Sequence, residues 1–187
     1  MRSPGDPSTW PAHERRMKAE LDAAGIPEDT VDELLNSRYD YEQAVPIMVD
    51  WLEHLDERVP ADQNRDGWRT GLLRNLITKY ARGNQRAFDA VIRLFYLDPP
   101  VTRAEIEAAT LAILEIASAA QLDQMAALIE HLRGNPWRWM IISWLANIKT
   151  PAAIALTTRL LTDADPDARY QAIKAIGRQK PKGVRDK

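Results

Sequence analysis

The sequence predicts an all-α protein, built as an α-solenoid of about four or five antiparallel helical hairpins. Apolar residues recur at helical spacing almost from end to end, and no convincing strand alternation occurs. Short turns rich in Pro, Gly and Asn separate the helical stretches. Two windows, 136–151 and 166–181, align at an offset of 30 residues, a period typical of stacked helical hairpins. We expect one structural domain from this chain of 187 residues.

Five helices are expected in the N-terminal part. The first follows a Ser/Thr cap before Pro11 and ends at Gly25, and the second has acids in its first turn. The third contains Pro46, which removes one backbone hydrogen bond and predicts a kink. In chain order the five stretches are STWPAHERRMKAELDAAG, PEDTVDELLNS, YEQAVPIMVDWLEHLDER, RDGWRTGLLRNLITKYA and NQRAFDAVIRLFYL.

Five further helices are expected after residue 100. The aligned windows each begin at a proline, and each helix should end at a residue that tolerates the left-handed conformation, Asn147 or Gly177. We expect residues 1–36 as a helical cap, 37–180 as the repeat array and 181–187 as a basic tail that frays. The five stretches are TRAEIEAATLAILEIAS, LDQMAALIEHLRG, PWRWMIISWLAN, PAAIALTTRLLTD and PDARYQAIKAIG.

The stretch LLTDADPDARYQAIKAIGR, residues 160–178, resembles a HEAT repeat of the short type seen in phycobilisome-lyase-like proteins. The resemblance implies that the Asp/Pro turn starts the second helix of a hairpin and that Arg169 stacks and hydrogen-bonds along the array. The small alanines would let neighbouring helices approach closely. The window before it departs from this pattern, because Trp139 stands where the repeat has Arg169. The matching residues are Asp163, Asp165, Pro166, Asp167, Arg169, Ala172, Ala175, Ile176 and Gly177.

The composition restricts both the kind of protein and the reactions that its side chains could carry out. The net charge of −2 hides a gradient, from 6 Lys/Arg against 14 Asp/Glu in residues 1–60 to 11 against 6 in residues 121–187. The absence of cysteine excludes disulfides, thiolate catalysis and cysteine zinc sites. No apolar run approaches the ~18 residues of a membrane span, and the N-terminus lacks the apolar region of a secretory signal. We therefore expect a cytoplasmic protein, and abundant Arg and Ala suggest a bacterial source.

No sequence motif indicates a particular enzymatic reaction. The sequence has no Gly-rich phosphate loop, nucleophile elbow or HExxH motif, and the three histidines, His13, His54 and His131, lie far apart. We therefore expect no catalytic residue, no cofactor and no metal. The acidic stripe on the third helix is typical of a solvent-facing surface, although paired carboxylates also suit a hard cation. Its residues are Asp50, Glu53, Asp56 and Glu57, with Asp40 and Glu42 nearby.

Three of the six tryptophans crowd the segment NPWRWMIISWL, residues 135–145. Trp137 and Trp144 share one helical face, and Trp139 lies on another. A helix that is apolar on two faces is buried between neighbours, so we expect Trp137 and Trp144 in the core. Trp139 could be buried or exposed on the concave side of the solenoid, because Arg169 occupies the aligned position.

The expected function is a non-catalytic interaction module that binds a protein or peptide on its concave surface. The alternative is a nucleic-acid-binding or DNA-base-processing protein, because HEAT-like DNA glycosylases hold duplex DNA with concave tryptophans, Asp and Arg. A lyase-like or chaperone-like helper is a third option. The candidate binding residues are Trp139, Arg138, Arg169, Lys174, Arg65 and Arg69.

Arg65 and Arg69 belong to a second basic tract. The tract fits a solvated outer face with Asp62, Asp66 and Asp89 as partners, or a site for an anionic partner. Under either interpretation we expect the protein to bind neither a membrane nor a metal. The tract consists of Arg65, Arg69, Arg74, Lys79, Arg82, Arg86 and Arg93.

Overall fold

The computed structural model describes residues 7–39 and 41–179, and every regular element within them is helical. The predicted all-α class is therefore confirmed. The chain divides into two compact units, Met1–Ile116 and Ala117–Lys187. The segment expected as a cap, 1–36, falls inside the first unit, and the expected tail, 181–187, lies outside the described residues.

The first unit contains seven α-helices among its described residues. Short 3-10 turns precede α1, lie between α5 and α6, and follow α6, at Pro7–Thr9, Lys79–Ala81 and Arg93–Tyr96. The helices are α1 (Ala12–Ala23), α2 (Val31–Leu35), α3 (Ala44–Glu53), α4 (Leu55–Arg58), α5 (Arg65–Asn75), α6 (Gln85–Ile92) and α7 (Arg103–Ile116).

Local capping residues set the ends of the first two helices. Gly25 adopts φ +74° directly after α1, which is a left-handed conformation that glycine tolerates, so the predicted stop is confirmed. Thr30 accepts a hydrogen bond from Glu33 N, and Glu33 accepts one from Asp29 N, so α2 starts with a reciprocal cap. The Ser/Thr cap expected for α1 is wrong, because its N-cap is Pro11 and no side chain caps it.

The kink predicted at Pro46 is also wrong. Pro46 is the third residue of α3, within the first turn, where a backbone N–H has no acceptor inside the helix. The stretch breaks instead at His54, whose backbone leaves the helical region and separates α3 from α4. One expected helix is therefore two.

The core of the first unit is built around α3 and α5, which pack on each other and on α2, α6 and α7. Trp51 is fully buried and stacks on Trp68, with ring centroids 5.5 Å apart. Trp68 in turn meets the edge of buried His13 at 5.3 Å. At Gly71 helices α2 and α5 come so close that a Cβ would lie 3.1 Å from Val31 Cγ1.

The second unit contains four described α-helices and two 3-10 turns, Ala119–Gln121 and Leu145–Asn147. The left-handed caps expected at Asn147 and Gly177 are wrong. The chain becomes extended at Ile148 after the 3-10 turn, and α11 continues through Gly177 to Gln179. The helices are α8 (Leu122–His131), α9 (Arg138–Trp144), α10 (Pro151–Leu160) and α11 (Pro166–Gln179).

No single helix among the described residues is long and apolar enough to cross a membrane. Two consecutive segments, Arg103–Ile116 and Ala119–His131, reach that length and composition only when they are taken together.

Candidate binding face on the second unit

A buried ion pair joins the start of α9 to the turn before α11. Arg138 Nη2 and Nη1 donate to the two carboxylate oxygens of Asp163 at 2.7 and 3.0 Å, and its Nε donates to Ile129 O at 2.9 Å. Only 1% of the Arg138 side chain and 4% of the Asp163 side chain are exposed. The hydrogen bonds from Arg138 hold the pKa of the Asp163 carboxyl well below its usual range, against the opposing effect of burial.

This pairing corrects the role expected for Arg138. The sequence suggested a groove residue beside Trp139, but the guanidinium is enclosed by a carbonyl and two carboxylates and is not available to a partner. Arg169 is likewise held locally, because its Nη1 donates to Asp163 O and Ala164 O at 2.8 and 2.9 Å. Its other guanidinium nitrogens have no partner among the described residues.

A second contact joins the far ends of α9 and α11. Gln179, the last residue of α11, donates its side-chain amide to Leu145 O and Ile148 O at 2.8 and 2.9 Å. Since Arg138 contacts Asp163 where the two helices start, α9 and α11 lie side by side in the same direction. The sequence separations of these contacts, 25 and 27 at the start and 34 and 31 at the end, bracket the 30-residue offset of the aligned windows.

The parallel helices leave one side open. Helix α8 packs against α9, and α10 packs against α11, so each of the two helices is covered by its own predecessor. Helix α11 turns its small and amide side chains inward, and α9 buries Arg138, Ile141, Ile142 and Trp144. On α11 the opposite face is exposed to solvent, whereas on α9 only Trp139 is exposed.

Large apolar side chains are exposed on both helices. Trp139 on α9 is 42% exposed, and Tyr170 and Ile173 on α11 are 58% and 62% exposed. Tyr170 and Ile173 lie one turn apart on α11, and the 30-residue offset aligns Trp139 with Arg169. The exposure predicted as one option for Trp139 is therefore the observed one, while Trp144 is buried as expected and Trp137 is half-buried.

Cations flank the apolar side chains. Lys174 is exposed, and its Nζ lies 5.3 Å from the centroid of the Tyr170 ring. Arg178 is exposed one turn further along α11, and Arg169 is half-buried on the opposite flank. We call the solvent-accessible side chains of these two packed helices the α9–α11 face and define it by Trp139, Arg169, Tyr170, Ile173, Lys174 and Arg178.

The two candidates from the first unit, Arg65 and Arg69, are held by internal contacts. Arg65 donates to Val59 O and Asp56 O, at 2.8 and 3.1 Å. Arg69 pairs with Asp56 and with Glu105, whose side chain is 1% exposed. Both arginines therefore join elements of the first unit, and they are not free to bind an anionic partner.

Arg86 of the basic tract and the neighbouring Arg58 neutralise two carboxylates of the acidic stripe. Arg86 pairs with Glu53 at 2.6 Å and with Asp50 at 3.2 Å, and Arg58 also pairs with Asp50 at 2.7 Å. Burial raises the pKa of Asp50, but the hydrogen bonds and charges of Arg58, His54 and Arg86 outweigh it and lower that pKa overall. Asp50, Glu53 and His54 offer three ligand atoms within 4.8 Å of one another, but two arginines already contact these carboxylates.

A shallow pocket of about 320 Å³ lies in the first unit, between α2, α5 and the start of α7. It is open to solvent, and none of the polar side chains that line it is buried. Its polar groups are Asp32, Asp66, Thr70, Arg74 and Thr102. Acids and a cation are mixed there without a common direction, so the pocket supports no ligand.

Two residues of the α9–α11 face were missed by the sequence reasoning, Tyr170 and Ile173. The helical period could have found them, because the small residues Ala168, Ala172 and Ala175 mark the buried side of α11 and place Tyr170 and Ile173 opposite. Buried Glu105 was also missed, although Thr102 and Glu105 have the spacing of a capping box and Glu105 accepts from Thr102 N at 2.7 Å.

Comparison with family models, curated proteins and solved structures finds no match to this chain.

Proposed function

We propose that the chain is a HEAT-like α-solenoid of about four or five hairpins that serves as a non-catalytic protein-binding module in a bacterial cytoplasm. The parallel course of α9 and α11, each paired with the helix before it, supports this arrangement for the second unit. In such an array the α9–α11 face would belong to the concave side, where solenoids hold extended partners.

The observation that carries the function is the exposure of Trp139, Tyr170 and Ile173 on neighbouring parallel helices. Single exposed apolar residues are ordinary, but Tyr170 and Ile173 lie one turn apart on α11 and Trp139 is exposed on the helix packed against it, a grouping typical of an interaction site. Complete burial of a large apolar side chain contributes roughly 1.5–3 kcal/mol, so Tyr170 and Ile173 together could anchor a protein segment. Tyr and Trp are also the residue types that dominate binding hot spots.

A nucleic-acid-binding protein is the second candidate. The observation in its favour is that Lys174 lies over the exposed ring of Tyr170, with Arg169 next to Tyr170 in the chain, since ring stacking and cations together hold single strands. Fluorescence anisotropy with a dT20 oligonucleotide and a duplex, from 20 to 200 mM salt, tests it. Absence of binding at low salt would exclude it.

Affinity capture from bacterial cytosol tests the protein-binding function. The wild-type chain is compared with Tyr170→Ser/Ile173→Ser and with a control of the same chemistry in the first unit, Ile77→Ser/Leu111→Ser, whose residues are 41% and 40% exposed. We expect at least one protein to be lost with the first variant and kept with the control. The same captured set for all three proteins would contradict the proposal, provided that circular dichroism shows all three to be folded.

A further inference from the structure

The second unit carries more cations than its own acids neutralise. Its described residues, 117–179, hold seven Lys/Arg and five Asp/Glu. Three of the five acids are already engaged, because Asp163 and Asp165 pair with Arg138, and Glu130 pairs with Arg133. The remaining cations, which pair with no carboxylate among the described residues, are Lys149, Arg159, Arg169, Lys174 and Arg178.

Three of these five cations belong to the α9–α11 face. Arg169, Lys174 and Arg178 lie on α11 beside Tyr170 and Ile173. The only acid on that helix, Asp167, lies in the first turn, where the helix dipole favours a negative charge. The centre of the face is therefore apolar and its edges are positive.

The cations near the apolar centre are held in place before any partner binds. Arg169 donates from Nη1 to two backbone carbonyls, and its other guanidinium nitrogens have no partner among the described residues. Lys174 lies over the ring of Tyr170. A guanidinium that is already positioned loses less side-chain entropy when it pairs with a carboxylate.

We propose that the partner of the α9–α11 face is an acidic protein segment, with Asp or Glu beside one or more aromatic or aliphatic side chains. This inference rests on the proposed protein-binding function. The apolar side chains of the segment would cover Tyr170 and Ile173, and its carboxylates would pair with Arg169, Lys174 and Arg178. The pairs would form at the edge of the contact, where charge complementarity sets association rate and specificity.

The composition of the face favours a protein over a nucleic acid. Ile173 is the most exposed of its apolar side chains, and an aliphatic side chain offers no ring on which a base could stack. The excess of positive charge in residues 117–179 is small, whereas a strong nucleic-acid binder carries a strongly basic domain. The chain as a whole is acidic, with a sequence pI near 6.0.

Selection of random 12-residue peptides on phage, followed by titration of the selected peptides, tests the inference. We expect the selected peptides to be enriched in Asp or Glu and in aromatic or aliphatic residues. Their affinity should fall by more than about twofold and up to about thirtyfold for Lys174→Gln/Arg178→Gln, which is the range for two exposed ion pairs. It should also weaken with added salt.

A matched charge variant controls for net charge. Lys149→Gln/Arg159→Gln removes two unpaired cations that lie outside α11, so it should leave peptide affinity within about twofold. An equal loss of affinity in both charge variants would overturn the inference, because it would show a nonspecific effect of net charge. All variants must retain the wild-type melting temperature within a few degrees.

The apolar variant Tyr170→Ser/Ile173→Ser separates the two proposals. Peptides without acidic enrichment that bind the wild type and are lost with this variant would overturn the acidic partner and leave the protein-binding function in place. Peptides that bind this variant as well as the wild type, or no enrichment at all, would overturn both. Binding of dT20 at 150 mM salt that is tighter than any peptide and lost with Lys174→Gln/Arg178→Gln would identify the partner as a nucleic acid.

Discussion

Arg138 and Asp163 form a two-point ion pair that is almost completely shielded from water. A buried ion pair of this geometry contributes little more to folding stability than two well-packed apolar residues would. The loss of one partner is nevertheless costly, because it leaves the charge of the other in the interior without that partner. The pair links the start of α9 with the turn that starts α11, so the second unit depends on both residues being present.

Asp163→Asn should lower the free energy of unfolding of the second unit by about 3 kcal/mol, because Arg138 loses its two-point counterion and keeps only the more distant carboxylate of Asp165, 3.4 Å away. Asp167→Asn is the control, since Asp167 is exposed and should change stability by less than about 1 kcal/mol. Native-state hydrogen exchange of the α9 and α11 amides measures both. Equal exchange rates in the two variants would show that the buried pair does not hold the helices together.

Arg69 and Arg86 provide a second matched comparison, in the first unit. Arg69→Met should lower the free energy of unfolding of the first unit by about 3–5 kcal/mol, because it leaves the buried carboxylate of Glu105 without its cation. Arg86→Met should cost at most about 1 kcal/mol, because its side chain is 54% exposed and its ion pairs are solvated. Urea unfolding measures the two values. Adding Glu105→Gln to Arg69→Met should recover part of the loss, and a failure to do so would assign the loss to packing rather than charge.

His13 should make the first unit less stable in mild acid. Burial lowers the pKa of His13, and the charge of Glu14 opposes this only partly. As the pH drops below about 6.5, His13 is protonated in the unfolded chain but stays neutral in the folded chain. The free energy of unfolding therefore falls as the pH drops below that value. The melting temperature from pH 8 to 5 should decline more steeply for the wild type than for His13→Phe, which keeps a ring against Trp68. Identical slopes would contradict the role of His13.

Two helical glycines should respond in opposite ways to the same substitution. Gly71→Val should destabilise the first unit by about 1–3 kcal/mol, because even a Cβ at this position would meet Val31 Cγ1 at 3.1 Å. Gly177→Val should be neutral or slightly stabilising, because no atom outside its own stretch of helix lies within 4 Å of its Cβ position and valine is a better helix former. Thermal unfolding compares the two variants. Equal changes in melting temperature would mean that α2 and α5 can move apart at little cost to accommodate the added side chain.

The all-α class and some helix ends, such as the stop at Gly25, could be predicted because their causes are local. The cap at Thr30 and the left-handed Gly25 act over a few residues, and both are readable from the sequence. The mistaken kink at Pro46 shows the limit of this reasoning. The effect of a proline depends on its distance from the helix start, and that start is uncertain by a few residues in any sequence interpretation.

The binding candidates were harder to predict because each arginine had several acids within reach along the chain. Among the acids expected as partners of the basic tract, Asp66 lies 3.9 Å from Arg69, but the closer contacts are with Asp56 and with Glu105, 36 residues away. Only tertiary packing decides such pairings. Trp139 and Arg169 could be aligned from the repeat, but the buried state of neighbouring Arg138 follows from Asp163, 25 residues later.

The hydrogen bonds of Gln179 make the opening of the last turn of α11 measurable by proteolysis. Trypsin cleaves after arginine, and Arg178 directly precedes the residue whose amide is tied to Leu145 O and Ile148 O. A protease needs an extended segment, so it must first release that amide and open the last turn of the helix. The rate at which the bond after Arg178 is cut therefore measures how often the end of α11 detaches from α9, and a partner bound across the α9–α11 face would slow that digestion.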